Sequence, residues 1–310
     1  MPNWNDILQE IATTQAQGQN LINSSFDIIR RKYLQGLHKN TGRNVIAYYS
    51  GFLSKPNASQ LEINDEDKNG FMMTIHRLDR SKGLDLIIHS PGGNIGATQS
   101  IVDYLHKMFG NNIRAIVPQI AMSAGTMLAC SCKEIWLSKH SNLGPIDPHL
   151  DGLPAYGVKE EFKRAYNEIK ADPNKIPLWQ PIIGQYKPTF LGQCENAIEW
   201  SNKFVQKQLE TIMFSGDKKA KEKAKNIVDK LTDYSENKTH NRHIHFEECD
   251  KMKLKVRLLE EKGMENFQDS VLTVHHCFIH TLMNTEAYKL IENHLGSALI
   301  KMQRVIQQQR

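Results

Sequence analysis

Short apolar runs alternate with longer amphipathic segments through the first half of the chain. Residues 45–49, 84–89 and 113–117 are three such runs, each with the length and apolar content of a strand buried on both faces. Between them, apolar residues recur at three- and four-residue spacing, which is typical of helices that pack one face against a sheet. The pattern predicts an α/β fold in which residues 84–137 form a βαβαβ unit.

Helical periodicity also predicts the elements on either side of this unit. Residues 1–38 are predicted to be helical, residues 71–78 to begin a helix, residues 192–231 to form a helical layer, and residues 267–309 to form a long helical tail. Five prolines between residues 154 and 188 would interrupt a long helix, so this region could wrap around the mouth of a site. We therefore expect an N-terminal helical segment (1–40), a core that carries the site (41–150), and a mostly helical remainder with a C-terminal extension (151–310).

Two glycine-bearing turns follow the second and third predicted strands. The first, Ser90-Pro91-Gly92-Gly93, stops a strand because Pro91 has no N–H to donate, and its glycines can turn a backbone N–H towards a cleft. The second runs from Ala121 to Thr126, and its Ser123 opens a predicted helix. At a helix start the dipole favours a developing anion, and the N–H of Ala124 has no partner within the helix. A serine beside such donors is the geometry of acyl transfer.

Each turn also has a purely structural explanation. A serine at the start of a helix most often caps it, and a Gly-Gly pair after a strand most often only makes a turn. The two turns occur in order on successive βα units, however, and sites of open α/β sheets collect at the carboxyl ends of the strands. The combination therefore favours a functional serine.

The stretch from Asp85 to Pro148 resembles the serine dehydrogenase proteinase family, in the clan of Clp protease and signal peptide peptidase A. The residues that carry the resemblance are SPGG at 90–93, AMSAGTMLA at 121–129, the strand at 134–137 and SNLGPIDP at 141–148, with weaker similarity from about Val45 to Ile244. The resemblance implies a crotonase-like, ClpP-type fold of stacked ββα units and serine peptidase chemistry. It also implies that Ser123 is the nucleophile and that the N–H groups of Gly93 and Ala124 form the oxyanion hole.

The sequence leaves the identity of the general base open. Clp proteases use a histidine at nearly the spacing of His149 from Ser123, but matching the strand and turn between them places His149 a few residues too far along. The signal peptide peptidase branch uses a later lysine, which points to Lys163, and a lysine can accept a proton only when burial lowers its pKa towards neutrality. A position on a solvated helix face is the alternative explanation of Lys163, and a position in a loop is the alternative for His149. His243 and a residue of another subunit are further candidates, and Asp147 would orient a histidine or stabilise the turn.

Composition and charge limit the other function classes. The net charge of +5 comes largely from a lysine-rich stretch at 218–225 without aromatic interleaving, so no nucleic-acid partner is predicted. Five cysteines show neither a disulfide framework nor paired metal spacing, which fits a reducing compartment. No run approaches the roughly 18 apolar residues of a membrane span, and residues 1–10 do not resemble a signal peptide. We expect a cytoplasmic protein with no membrane span.

No cofactor or metal is predicted. The stretch at 65–70 begins like a calcium loop, but its twelfth position is His76 instead of glutamate. Two groups of histidines lack a carboxylate at the metallopeptidase spacing; they are His240, His243 and His245, and His275, His276 and His280.

Two function classes remain. The first is a cytoplasmic serine endopeptidase, expected to form a homo-oligomer and to act on peptide or protein substrates, with a partner protein such as an ATPase as a supplier of substrate. The alternative is a catalytically idle or crotonase-like oligomeric scaffold that acts through binding. Ser123 favours the peptidase because crotonase chemistry needs an oxyanion hole but no serine at this place, whereas the open identity of the base favours the scaffold.

Overall fold

A computed structural model describes residues 3–17, 24–233 and 241–303. Its strands are β1 (Asn44–Ser50), β2 (Leu84–His89), β3 (Ile113–Val117), β4 (Ile120–Ala121), β5 (Glu134–Leu137), β6 (Asn142–Leu143), β7 (His149–Leu150), β8 (Leu153–Pro154), β9 (Val256–Leu258), β10 (Ala287–Asn293) and β11 (Ala298–Met302). Its helices are α1 (Trp4–Gln17), α2 (Ser25–Thr41), α3 (Asp67–Ile75), α4 (Ile95–Phe109), α5 (Ala124–Cys130), α6 (Ala155–Ala171), α7 (Ile176–Ile183), α8 (Phe190–Gln208), α9 (Ala220–Thr232), α10 (Phe246–Lys251) and α11 (Glu265–Asn284).

Seven strands form one mixed sheet in the order β11-β10-β1-β2-β3-β5-β9. The five strands from β1 to β9 in this order are parallel, and β10 and β11 extend the edge as antiparallel strands. Four of the parallel strands, β1, β2, β3 and β5, are predicted runs, whereas β9 was not predicted. Helices α4 and α5 provide the crossover connections from β2 to β3 and from β3 to β5. The predicted βαβαβ unit of residues 84–137 and the α/β class are confirmed.

Helices cover both faces of the sheet, because alternate residues of each strand point to opposite sides. On β1, Ile46 and Tyr48 pack with α3, α4, α5 and α9, whereas Val45, Ala47 and Tyr49 pack with α2 and α11. Every residue of β1 and β2 is buried. The sheet therefore lies between two helical layers, and the carboxyl ends of its parallel strands are left to form a site.

The two ends of the chain differ in how well the pattern predicted them. The described parts of the N-terminal segment are helical, as α1 and α2. The predicted helical tail of 267–309 is wrong beyond α11, because residues 287–302 form the hairpin of β10 and β11. Two buried charged residues made β10 look unlike a strand: Lys289 pairs with Asp67, and Glu292 pairs with Arg30 and Arg31. The predicted end at 304–309 lies outside the described residues.

A smaller helical unit follows the parallel core. The prolines separate α6 and α7 as predicted, and α8 packs against α6 through a small apolar cluster of Ala155, Val158, Phe190, Cys194 and Ile198. Among the helices of the described ranges, none is both long and apolar enough to cross a membrane.

The buried His89 at the end of β2 predicts how stability changes with pH. Its ring nitrogens lie 3.1 Å from the carbonyl oxygen of Ser50 and 3.0 Å from Gln119 Oε1, and burial lowers its pKa to about 4. In the unfolded chain the His89 imidazole takes up a proton near pH 6.5, whereas in the folded protein it does so only near pH 4. Acidification from pH 6.5 towards pH 4 therefore favours unfolding. We expect the free energy of unfolding to fall by up to about 3 kcal/mol through this residue alone.

Urea unfolding at pH 7 and pH 5 measures the effect. His89→Gln, which cannot titrate, is expected to lose less stability than the unmodified protein between the two pH values. An equal loss in both proteins would show that His89 does not carry the dependence.

Candidate active site

A cleft of about 280 Å³ lies at the carboxyl ends of β2 and β3. The two predicted turns form one side of it, and the segment after Pro148 together with α8 forms the other. The lining includes Pro91, Gly93, Ser123, Pro148, His149 and Trp200. The structure therefore brings the predicted serine, one predicted oxyanion residue and one predicted base to a single cleft.

Backbone hydrogen bonds join the two turns to each other. The N–H of Ser90 donates to the carbonyl of Ile120 at 3.2 Å, and the N–H of Met122 donates to the carbonyl of Ser90 at 3.0 Å. The row continues on both sides, with Ile63 bridged to Gly93 and β4 paired with β6. This second row of short pairings fixes the Gly93 turn beside the Ser123 turn.

Ser123 has a backbone conformation that an L-residue rarely adopts. It sits at the N-cap of α5 with φ 51° and ψ −116°, and its side chain makes no capping hydrogen bond to the helix. The structural explanation offered by the sequence, a serine that caps its helix, therefore does not apply. A strained serine with a hydroxyl that is free of the helix is the arrangement of a nucleophile at a sharp strand-to-helix turn.

Small residues make this sharp turn sterically feasible. A Cβ on Gly92 would lie 2.7 Å from Ser123 Cβ, and one on Gly125 would already touch Ala121 Cβ at 3.4 Å. The buried Thr126 hydroxyl then links the turn to Gly144, the residue that follows β6. It lies 2.8 Å from the carbonyl oxygen of Ala121 and accepts a 2.9 Å hydrogen bond from the N–H of Gly144. The close contact with Gly92 and the hydrogen bonds of the Thr126 hydroxyl therefore hold Ser123 in its strained conformation.

Two backbone donors beside Ser123 have no protein acceptor among the described residues. Ala124 is the first residue of α5, so its N–H has no partner within the helix. The bridge of Gly93 to Ile63 uses the carbonyl of Gly92 and the N–H of Asn94. The N–H of Gly93 consequently points away from Ile63, and the arrangement can supply two donors to a developing oxyanion.

A tight hairpin places His149 in the cleft. β7 and β8 are joined by Asp151 and Gly152, both with positive φ, which is the type I′ geometry that an Asp-Gly pair favours. His149 is 29% exposed in its side chain, and its Nδ1 lies 4.0 Å from Oδ2 of Asp147, which is nearly buried. His149 therefore lines the cleft with the Asp147 carboxylate close to its ring.

The other candidate bases lie elsewhere. Lys163 is on the exposed side of α6, where its Nζ lies 3.3 Å from Glu160 Oε1, and its side chain is 62% exposed. His243 is exposed next to Ile244, which pairs with Leu143 of β6. Neither Lys163 nor His243 lines the cleft. The structure thus places His149 in the same cleft as Ser123 and leaves Lys163 and His243 outside it.

The remaining candidates from the sequence are the thiols, the histidine groups and the calcium-like stretch. Burial raises the pKa of the Cys130 and Cys132 thiols to about 12, so neither is a thiolate near neutral pH. In the part of the chain that the structure describes, no group of three His, Cys, Asp or Glu side chains is arranged to hold a metal ion. His240 of the histidine group lies outside the described residues. Asp67 of the calcium-like stretch instead accepts hydrogen bonds from Tyr48 and Lys289.

Sequence reasoning missed the wall that α8 contributes. Trp200 donates from Nε1 to Gln99 Oε1 at 2.9 Å, and its ring lies 3.3 Å from where a Cβ on Gly96 would be. Gly96, in the first turn of α4, therefore leaves space for the tryptophan. A glycine at this helical position was the available signal, but nothing in the sequence connected it with Trp200.

Comparison with known proteins places this geometry in a family. The sequence profile of the ClpP-like SDH-type serine proteinases matches residues 11–262. Two uncharacterized proteins of Methanocaldococcus jannaschii are similar to the chain. MJ0137 is 31% identical over 171 residues, which are 55% of this chain and 53% of the relative. MJ1495 is 30% identical over 170 residues, which are 55% of this chain and 51% of the relative.

The matched region thus spans about half the length of these curated relatives. The profile match is longer, and it includes both turns, the row of short pairings, the His149 hairpin and α8. The chain belongs to the family of ClpP-like SDH-type serine proteinases.

Proposed function

We propose that this protein is a serine endopeptidase whose nucleophile is Ser123. The observation that carries the proposal is the strained Ser123, whose side chain makes no capping hydrogen bond. It lies in one cleft with His149 and beside two backbone N–H groups that have no acceptor within the described part of the chain. A helix cap requires neither the strain nor the donors, whereas acyl transfer uses all of these features.

The chemistry follows from the position of each group. His149 accepts the proton of the Ser123 hydroxyl as Oγ bonds to the substrate carbonyl carbon, and Asp147 orients the imidazole and stabilises its charged form. The carbonyl oxygen becomes an oxyanion that accepts hydrogen bonds from the N–H groups of Gly93 and Ala124. The imidazolium then gives its proton to the leaving amine as the C–N bond breaks. Water, deprotonated by His149, hydrolyses the acyl-enzyme and restores the serine.

His149 is the preferred base for physical reasons. It lines the same cleft as Ser123, and its Nδ1 lies 3.4 Å from the carbonyl oxygen of Asp147 and 4.0 Å from the Asp147 carboxylate. Lys163 is solvated and paired with Glu160, and a hydrated ammonium ion has no lone pair to accept a proton. A lysine base needs a desolvated pocket, which the exposed side of α6 does not offer.

The cleft is suited to an extended peptide with an apolar side chain. Ile95, Met127, Leu150, Ala197 and Trp200 supply apolar walls on both sides of the reactive groups, and Glu62 is the acidic residue at its edge. We also infer that the second row of short pairings represents the crotonase-like stacking of ββα units. The five free cysteines are all buried thiols, which is compatible with action in the cytoplasm.

Replacing the nucleophile tests the central proposal. A fluorophosphonate probe is expected to label the unmodified protein, and Ser123→Ala is expected to abolish labelling and reduce peptide hydrolysis by several orders of magnitude. Ser100→Ala, which changes a serine of α4 outside the cleft, serves as the matched control and keeps full labelling. Thermal unfolding should show that all three proteins are folded.

The alternative function has its own signature in the same experiment. A folded, unmodified protein that neither reacts with the probe nor cleaves peptides would support the idle or crotonase-like scaffold. Hydrolysis that survives in Ser123→Ala would refute the assignment of the nucleophile.

A second experiment identifies the base. His149→Ala is expected to lower kcat/KM by about a hundredfold or more, because it removes a general base, whereas Lys163→Ala should retain nearly all activity. The reverse pattern of the two variants would assign the base to Lys163, and full activity in both would direct attention to His243 or another subunit.

We further propose that the protein forms a homo-oligomer and that a partner protein supplies its substrates. Support for self-association comes from α7, where Ile176 and Leu178 are 45% and 59% exposed on a short apolar helix. Light scattering at micromolar concentration is expected to give a multiple of the chain mass of 35.5 kDa. A monomeric mass would exclude this assembly.

A further inference from the structure

Residues 61–64 form the wall against which the Gly93 turn rests. The N–H of Ile63 donates to the carbonyl of Gly92 at 2.7 Å, and the carbonyl of Ile63 accepts from the N–H of Asn94 at 2.9 Å. The contact is so close that a Cβ on Gly93 would lie 2.3 Å from the backbone nitrogen of Ile63. The position of Ile63 therefore determines where the N–H of Gly93 lies.

Three buried side chains from other parts of the chain hold this wall. Ser50 Oγ donates to the carbonyl of Leu61 at 2.7 Å, and Lys289 Nζ donates to the carbonyl of Glu62 at 2.7 Å. Asp67 Oδ2 accepts from the N–H of Asn64 at 3.1 Å. The backbone is thus fixed on both sides of Ile63, by a cation before it and an anion after it.

Lys289 and Asp67 also bind each other in the interior. Nζ lies 3.0 Å from both carboxylate oxygens, and the side chains are 1% and 0% exposed. The Tyr48 hydroxyl donates to Asp67 Oδ2 at 2.8 Å, so the carboxylate has a third fixed partner. Burying two charges is costly, and apolar residues of similar volume commonly provide equal stability. Apolar residues could not, however, donate to the carbonyl of Glu62 or accept from the N–H of Asn64.

We propose that the buried Lys289–Asp67 pair is a positioning element of the oxyanion hole, which acts through residues 62–64 to set the direction of the Gly93 N–H. The inference rests on the proposed function and adds to it two residues that touch neither Ser123 nor the cleft. Lys289 comes from β10 and Asp67 from α3, so the pair links the antiparallel edge of the sheet to the reactive turn.

The test replaces both charges together, so that no unpaired charge remains buried. In the Asp67→Asn, Lys289→Met double variant, the asparagine oxygen still accepts from Asn64 while the donor to Glu62 is lost. We expect the second-order rate constant for fluorophosphonate labelling to fall by about tenfold to a hundredfold, because oxyanion donors act only when they are accurately placed. Hydrogen exchange followed by mass spectrometry should show faster exchange in peptides that cover residues 61–64 and 90–96. For a peptide substrate, kcat should fall and KM should change little.

A matched control lies on the same strand. Glu292 of β10 forms another buried pair with Arg30, but on the opposite face of the sheet and in contact with α2. The Arg30→Met, Glu292→Gln variant is expected to lower the melting temperature while the labelling rate and the exchange of residues 90–96 stay unchanged. Ser50→Ala removes only the hydrogen bond to Leu61, and we expect a smaller change of the same kind without loss of the fold.

The outcomes separate this inference from the proposed function. Unchanged labelling and exchange in a folded double variant would overturn the inference. If the double variant does not fold, unchanged exchange of residues 61–64 and 90–96 in Ser50→Ala would overturn it. An unmodified protein that the probe does not label would refute the peptidase, and the exchange measurements would still show whether the pair holds the Gly93 turn.

Discussion

The hydrogen bonds between the Ser90 and Met122 turns are the constraint on which the rest of the site depends. They bind two strand-to-helix connections into a second row beyond the main sheet, at the ends of β2 and β3. Without this row, Ser123 and Gly93 would lie on two independent loops, and loops alone hold reactive groups less accurately than packed elements. The parallel sheet sets the spacing between the two turns, and the backbone hydrogen bonds of the second row fix the position of one turn relative to the other.

The strain at Ser123 is kept because its surroundings leave no relaxed alternative. A non-glycine residue in this backbone region costs about 1–3 kcal/mol, which the fold must offset by interactions nearby. Thr126 contributes to this through its buried hydrogen bonds to Ala121 and Gly144. Gly92 contributes by steric contact, since it lies directly against Ser123 and leaves the turn little room to move. The site is consequently preorganised before a substrate arrives.

The parts of the structure that the sequence predicted share a common property. Strands β1, β2, β3 and β5 and both turns could be predicted from local patterns, because continuous apolar runs and glycine-bearing breaks depend only on neighbours in sequence. β10 could not be predicted in this way, because Lys289 and Glu292 form ion pairs with residues that are far away in the sequence. A pattern of apolar and polar positions assigns charged residues to the surface, whereas the burial of these two depends on tertiary contacts with their partners.

The site divides along the same line. Ser123 and Gly93 were predicted from their local turns, but the choice between His149 and Lys163 depends on which part of residues 149–163 faces the cleft. The Asp151-Gly152 pair was a local signal of the hairpin that presents His149. Nothing in the sequence connected Gly96 with Trp200, because their contact depends on the docking of α8 against α4.

The place of β10 in the chain has a consequence for biosynthesis. All the residues that line the cleft precede β10, and Trp200 is the last of them along the chain. A ribosome therefore releases all the cleft-lining residues before the strand that carries Lys289. During this interval the backbone of residues 61–64 lacks the hydrogen bond from Lys289 to the carbonyl of Glu62. The Gly93 turn thus gains its full backbone support only after β10 has been synthesised.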